Sequence, residues 1–413
     1  MNAEEIYSRQ NRKDEKRFMN WLPMALLVIG FLALIFFFII ILKHFSIVEE
    51  RDSPNMSATG QIGDFVGGVI GTLFALSGTL LIYLSFKRQN RQNRREAFES
   101  SFFEMLRLYR ENVSELKYTK SNGYNTITSE NRKVFRVIFH EFTECYKEVK
   151  KFYRFIDDYL VPEYDLKLSS IINRINPRIN KKEFAVIDIA YSIVFFGVGD
   201  EGERVLHHRF KSKYTNSHIF RLIEFIRLKP KREEIIRFEN WHFLKLKKVK
   251  ELNVLVDELY RYRRNKSIAL QILTSEEYEY LIQNNYEKYY GGHQHRLGHY
   301  FRHLFQTYKY LHYSKQLSKK KKYFYAKTLR AQLSTYEQAL LFVNSISSLG
   351  MKWEMTPELE NRKSLTEDEQ NKRRIENHLI TEYNLIKNLP GEKILDLRYK
   401  SYYPNIKYES DEN

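Results

Sequence analysis

The sequence predicts an all-α protein, a two-helix N-terminal transmembrane hairpin followed by a cytosolic multi-helix domain, and three observations carry that expectation. Two apolar stretches lie within the first 86 residues, each long enough to cross a bilayer core as a helix. Aromatic residues make up 15% of the chain, with 29 Phe and 30 Tyr against only 8 Pro and 16 Gly, a balance that favours packed helices over β-turns and linkers. Beyond the hairpin, apolar residues recur at three- and four-residue steps, the period of an amphipathic helix.

The expected organisation is a basic cytoplasmic N-terminus over residues 1–20, the hairpin over 21–86, a helical domain over 87–400 and a polar tail over 401–413. The first segment carries Arg9, Arg12, Lys13, Lys16 and Arg17, and residues 21–42 then hold no charge, with Trp21 at the interface. A cleaved signal sequence has an apolar region of about 7–15 residues and a small-residue cleavage site. The run FFFIIILKHF offers none, so this helix is an uncleaved anchor. The loop over 43–59 is mixed in charge (Lys43, Glu49, Glu50, Arg51, Asp52), whereas both flanks of the hairpin are rich in Arg and Lys, which puts both chain ends in the cytoplasm.

The second apolar helix, about 62–86, contains Gly63, Gly67 and Gly71 at four-residue spacing, with Gly78 on the same stripe. Lipid supplies no hydrophobic drive between helices, so such a stripe marks a face where another backbone approaches closely. It either seats the first helix of the same hairpin or builds an oligomer or pore. Asp64 lies just inside the apolar boundary and is either a functional group or a solvated residue at the helix end.

From Lys87 the polarity changes at once: KRQNRQNRR leads into Phe98, Phe102, Met105, Leu106, Tyr109, Val113 and Leu116, a continuing amphipathic helix that Asn122 and Gly123 end. A second aromatic helix is expected over 130–159, closed by Pro162. The apolar stretch 182–199 is short for a span and contains Asp188, so it reads as a buried core helix. Further helical patterns lie near 217–227, 234–263, 276–290, 294–317, 322–349 and 366–387, and the residues after Pro404 are expected to fray.

A net charge of +17 implies a polyanionic partner, either nucleic acid, RNA included, or an acidic membrane surface, and charge alone does not choose between them. Basic runs fall at 227–232, 245–250 and 319–322. Lys245, Lys247, Lys248, Lys319, Lys320, Lys321 and Lys322 are the candidate anion-binding set, with plain solvated faces as the alternative. The single cysteine, Cys145, excludes an intramolecular disulfide and any multi-cysteine metal site within one chain.

The densest constellation is GGHQHRLGHYFRHLFQTYKYLHY at 291–313, where His295, His299 and His303 repeat at four-residue steps beside Arg296 and Arg302. One straight stripe cannot close a tetrahedral metal shell alone, and no cofactor is expected. The spacing Arg296-x6-His303 is similar to the Arg-x4-6-His motif of the HEPN ribonucleases, although the polar residue that often follows that arginine is Leu297 here. Histidine moves a proton near neutral pH and arginine stabilises phosphate charge, so Arg296, His299 and His303 are the catalytic candidates for a metal-independent endoribonuclease. The competing reading has these residues tying helices together or meeting anionic lipid. Gly291 and Gly292 form a flexible approach to this helix. Next along the chain, 329–345 sets Arg330, Gln332, Ser334, Glu337 and Gln338 among leucines, with Glu337 available to pair with a histidine or arginine of the preceding helix. No Walker-type loop, nucleophile elbow, zinc-protease helix or dinucleotide fingerprint occurs.

Five segments together carry a family resemblance: GQIGDFVGGVIG (60–71), FFEMLRLYRENV (102–113), LGHYFRHLFQ (297–306), LRAQLSTYEQALLFVN (329–344) and LITEYNLIKNLP (379–390). In these the chain resembles the bacterial phage abortive infection proteins of the AbiC-like kind. The resemblance implies a bacterial inner-membrane location and a defence in which infection, through a phage-derived trigger, arrests or kills the infected cell. It brings no catalytic residues and leaves residues 118–290 without an assigned role. Three actions stay open: a homo-oligomer that alters membrane integrity, a tethered ribonuclease, and a non-enzymatic interaction module.

Overall fold

The computed structural model describes residues 3–44, 56–121, 125–152, 159–273, 278–283, 285–359, 366–394 and 397–411, in two units, Met1–Ser100 and Ser101–Asn413. The chain is mostly helical. In the first unit, helix α1 (Ala3–His44) begins well before the apolar run. Helix α2 (Met56–Phe65) passes through a π-helical segment (Val66–Ile70) into α3 (Gly71–Ser114). Much of the expected loop, 45–55, lies outside the described residues.

The two apolar helices touch along a seven-residue seam. Among the described residues, Ile70, Ser77 and Leu84 are the buried positions of the second apolar helix, and Pro23 and Gly30 those of the first. The Ser77 hydroxyl donates to the Pro23 carbonyl at 2.7 Å, a Cβ on Gly30 would meet the Phe74 ring at 3.4 Å, and the Phe37 and Phe65 rings lie 4.3 Å apart. A hydroxyl bonded to a backbone carbonyl is the polar contact such a dry interface tolerates.

The glycine stripe is elsewhere. Among the described residues, nothing lies within 4 Å of a Cβ built on Gly63, Gly67 or Gly78, and Gly71 meets only Val66 of the preceding turn. Among the described residues, α1 packs on the Ile70–Ser77–Leu84 seam, beside the stripe rather than on it. Asp64 is exposed. Two segments, Trp21–Ile40 and Gly63–Ser114, are long and apolar enough to cross a membrane, and only 11% of each apolar window is buried.

In the second unit, α3 continues without a break and buries Phe102, Leu106, Tyr109 and Val113 at helical spacing. Two antiparallel strands follow, β1 (Lys117–Ser121) and β2 (Thr126–Glu130), with Lys117 opposite Glu130. This hairpin replaces the expected end of the helix, whose terminating Asn122 and Gly123 lie outside the described residues. The core pairs α4 (Lys133–Lys150) with α6 (Lys181–Phe196), and α14 (Thr335–Ile346) packs on both. Residues of α6 from Phe184 to Val194 are all buried, as a core helix requires, and its buried Asp188 is paired with Lys213 at 2.7 Å. Asn180 caps its start by accepting from the backbone N–H groups of Lys182 and Glu183.

Several expected helices are divided. Residues 234–263 form α9 (Ile235–Leu246) and α10 (Val249–Arg264), parted where Lys247 and Lys248 are extended. Residues 322–349 form α13 (Lys319–Arg330) and α14, the latter opened by a Ser334–Glu337 capping box. In place of one helix over 366–387 stand α15 (Glu367–Lys372), a strand Arg374–Glu376 paired with Pro357–Leu359, and α16 (Leu379–Glu382). Pro162 opens α5 (Pro162–Ile175) at its first turn, a position where its missing N–H costs nothing. Among the residues expected to fray, Ile406 and Tyr408 are buried.

The end of α6 crosses the chain entering α12 (Gln294–Tyr313). Val198 N–H donates to the Tyr290 carbonyl at 2.9 Å and His293 N–H to the Phe195 carbonyl at 2.8 Å. Gly197 and Gly292 both take positive φ, and a Cβ on Gly292 would lie 2.7 Å from the Phe196 carbonyl oxygen. The glycine pair is thus a close backbone crossing at Gly292 rather than a flexible approach. Gly292→Ala is expected to cost about 1–3 kcal/mol of stability in chemical unfolding. Gly291→Ala, whose Cβ would meet nothing within 4 Å, should change stability by no more than about 0.5 kcal/mol. Equal effects at both positions would contradict the crossing.

Candidate functional site

Helix α4 turns three carboxylates, Glu141, Glu144 and Glu148, toward one side at helical spacing. Buried charge is tolerated only when paired and hydrogen-bonded, and each of the three is. Glu141 accepts from the Tyr118 hydroxyl, Lys120 Nζ and His293 Nε2, all at 2.7 Å. Glu144 meets Lys229 and Arg232 at 3.0 Å each. Glu148 accepts from Lys229 Nζ at 2.7 Å and the Tyr290 hydroxyl at 2.8 Å. Lys229, almost wholly buried, also sits 3.7 Å above the Tyr289 ring. Burial pushes the Glu141 carboxyl up, but the His293 hydrogen bond and the charges of His293 and Lys120 outweigh it and hold the group down at about 2.

His293 stands just before α12, and Arg296 lies one turn on. Arg296 donates from Nε to the Lys117 carbonyl at 3.0 Å, and its guanidinium lies 4.6 Å over the Tyr118 ring. A terminal nitrogen of Arg296 is 3.3 Å from His293 Nδ1. These groups border a cleft of about 250 Å³ lined by Tyr118, Lys120, Arg232, Tyr289, His295 and Arg296, with the Gly291–Gly292 backbone at its edge. Burial, Arg296 and His293 together lower the His295 imidazole below its ordinary range.

Of the catalytic candidates, Arg296 lines this cleft. His299 is exposed on α12. His303, two turns beyond Arg296, gives its Nε2 hydrogen to the Met105 carbonyl at 2.8 Å, so the two side chains are committed to different partners. Among the described residues no group of three or more His, Cys, Asp or Glu could hold a metal ion.

The basic runs differ in kind. In 227–232, Arg227 and Lys229 are buried ion-pair partners rather than a solvated face. In 245–250, the backbone carbonyls of Lys245 and Lys247 accept from Lys151 Nζ, Lys247 Nζ lies 5.2 Å over the Tyr278 ring, and Lys248 is exposed. Lys319, Lys320 and Lys321 are exposed in the first turn of α13, and Lys322 donates to the His312 carbonyl.

Glu337 does not pair with a histidine or arginine of the preceding helix. Fully buried, it accepts from the hydroxyls of Tyr109 at 2.6 Å and Tyr300 at 3.0 Å, and from the backbone and hydroxyl of Ser334. The residues that sequence reasoning passes over are His293, Glu141, Tyr118, Lys120 and Arg232. The available signal was the Glu141–Glu144–Glu148 spacing on an otherwise aromatic helix.

The Glu141 network makes stability pH-dependent with a definite sign. A carboxyl held at about 2 against an ordinary 4.5 contributes stability that is complete above the ordinary value and lost as pH falls through about 2, of the order of 3 kcal/mol. Unfolding free energy measured from pH 7 to pH 2 should fall more steeply for the wild type than for Glu141→Gln; parallel curves would contradict the assignment.

With the geometry in hand, comparison with known proteins finds one family, and it covers the helices that carry Arg296, Tyr300 and Glu337. No curated protein and no solved structure matches the chain. Residues 292–361 match the model of the family described as "Putative phage abortive infection protein".

Proposed function

We propose that the protein is a membrane-anchored effector of abortive infection, held in the bacterial inner membrane by its N-terminal hairpin with both chain ends in the cytoplasm. On this reading a phage-derived trigger acts on the helical domain, and the infected cell is arrested or killed when hairpins of neighbouring copies repack and the membrane loses integrity. The family match supports the defence role, and the apolar helices with their Arg- and Lys-rich flanks support the anchoring and its orientation.

The observation that carries the mode of action is the uncovered glycine face. Among the described residues, Gly63, Gly67 and Gly78 have nothing within 4 Å of a built Cβ, while α1 occupies the seam at Ile70, Ser77 and Leu84. In lipid, small residues permit the backbone approach from which helix association draws its energy, so this face suits a second copy. The ribonuclease reading has less support, because His303 Nε2 is engaged by the Met105 carbonyl.

Phage challenge of cells carrying the wild type should collapse membrane potential while cellular RNA stays intact. Gly67→Leu should abolish killing at unchanged expression, and undiminished killing would sink the membrane mechanism. RNA breakdown that disappears in His303→Ala would put a ribonuclease in its place, and arrest with neither lesion would favour an interaction module.

A further inference from the structure

The membrane mechanism makes no use of the cleft at the head of α12, yet three separate segments bring cations to it. Lys120 comes from β1, Arg232 from the segment before α9, and Arg296 with His295 from the first turn of α12, around a volume of about 250 Å³. Each cation is fastened through part of its donor set. Lys120 is held by Glu141 and the Tyr289 hydroxyl, and Arg232 by Glu144 through one terminal nitrogen. Arg296 is held through Nε and one terminal nitrogen. A guanidinium has five N–H donors in a planar fork, so both arginines keep donors beyond these bonds, and their planes are already set.

The backbone adds to this. His293 precedes α12 without a side-chain cap, and His295 and Arg296 of the first turn lie on the lining, so the positive dipole end of a 20-residue helix borders the cleft. A Cβ on Gly291 would meet nothing within 4 Å, which leaves the backbone there open to close approach. Glu233 is the one carboxylate on the lining among the described residues. Fixed guanidinium forks, an ammonium and a helix N-terminus converging on one small space are the donor set that recognises a tetrahedral, multiply charged acceptor.

We propose that this cleft is a binding site for a small phosphorylated ligand, its phosphoryl group seated among Lys120, Arg232, Arg296 and the first turn of α12. The site is independent of how the effector acts on the cell. The phosphoryl group can belong to free phosphate or to a mononucleotide, and the test separates the two.

Full-length protein in detergent is titrated calorimetrically with inorganic phosphate, adenosine 5′-monophosphate and adenosine at constant ionic strength. Binding of the monophosphate without binding of adenosine is expected. Arg296→Gln should weaken it at least tenfold and His295→Ala severalfold, with thermal unfolding checked for both. Equal binding of phosphate and monophosphate identifies the phosphoryl group alone as the ligand; binding of the monophosphate only identifies a nucleotide, and either result supports the site. Absence of binding by both phosphate probes at millimolar concentration, adenosine binding as tightly as its monophosphate, or wild-type affinity in folded His295→Ala and Arg296→Gln would overturn it. His295 is exposed, so His295→Ala is expected to fold, and that variant decides the matter even if Arg296→Gln does not fold.

Discussion

The double use of α3 is the constraint on which the rest depends. One unbroken helix of 44 residues supplies a wall of the apolar hairpin at its start and a wall of the helical domain at its end. Each stretch commits its own stripe of side chains. Ser77 is bound to the Pro23 carbonyl within the hairpin, and Tyr109 is bound to Glu337 within the domain, where Met105 also accepts from His303. Gly63, Gly67 and Gly78 lie off the Ile70–Ser77–Leu84 seam and, among the described residues, meet nothing there.

The interior of the domain is organised by buried acids rather than by apolar fit alone. Glu337 joins α3, α12 and α14 through two tyrosine hydroxyls, and the carboxylates of α4 gather Lys120, Lys229, Arg232 and His293. Such pairs add little net stability over well-packed apolar substitutes, because desolvation opposes the Coulomb gain. Their effect is on geometry. Breaking one partner leaves an uncompensated charge, so the network admits one arrangement, and that arrangement sets the planes of Arg232 and Arg296 at the cleft. The abundance of tyrosine follows from the same logic, since a buried ring fills core volume while its hydroxyl satisfies an acid.

The hairpin was legible because length and charge alone specify it, and α6 because an unbroken apolar run has no other place to go. The divisions of the later helices were missed because periodicity continues across them. Ser334 and Glu337 carried a capping-box signature that reads equally well as polar groups on one long helix. The strands β1 and β2 follow a helical pattern directly, yet their Thr-rich sequence and the intervening Asn122-Gly123 pair are hairpin signals in themselves. The cleft could not be read from the chain, because Lys120, Glu141, Arg232 and His293 come from four distant segments. The histidine stripe also drew attention past His293, which precedes the helix and makes the buried contact.

The most direct test of the open glycine face is oxidative cross-linking in bacterial membranes. The native Cys145 is buried and its thiol is pushed well up by that burial, so it stays silent in such an experiment. Gly67→Cys and Gly78→Cys should give disulfide-linked dimers, whereas Leu76→Cys, exposed but on the opposite side of the helix from Gly78, should not. Cross-linking at Leu76 equal to that at Gly67, or none at either glycine position, would contradict an intermolecular role for that face.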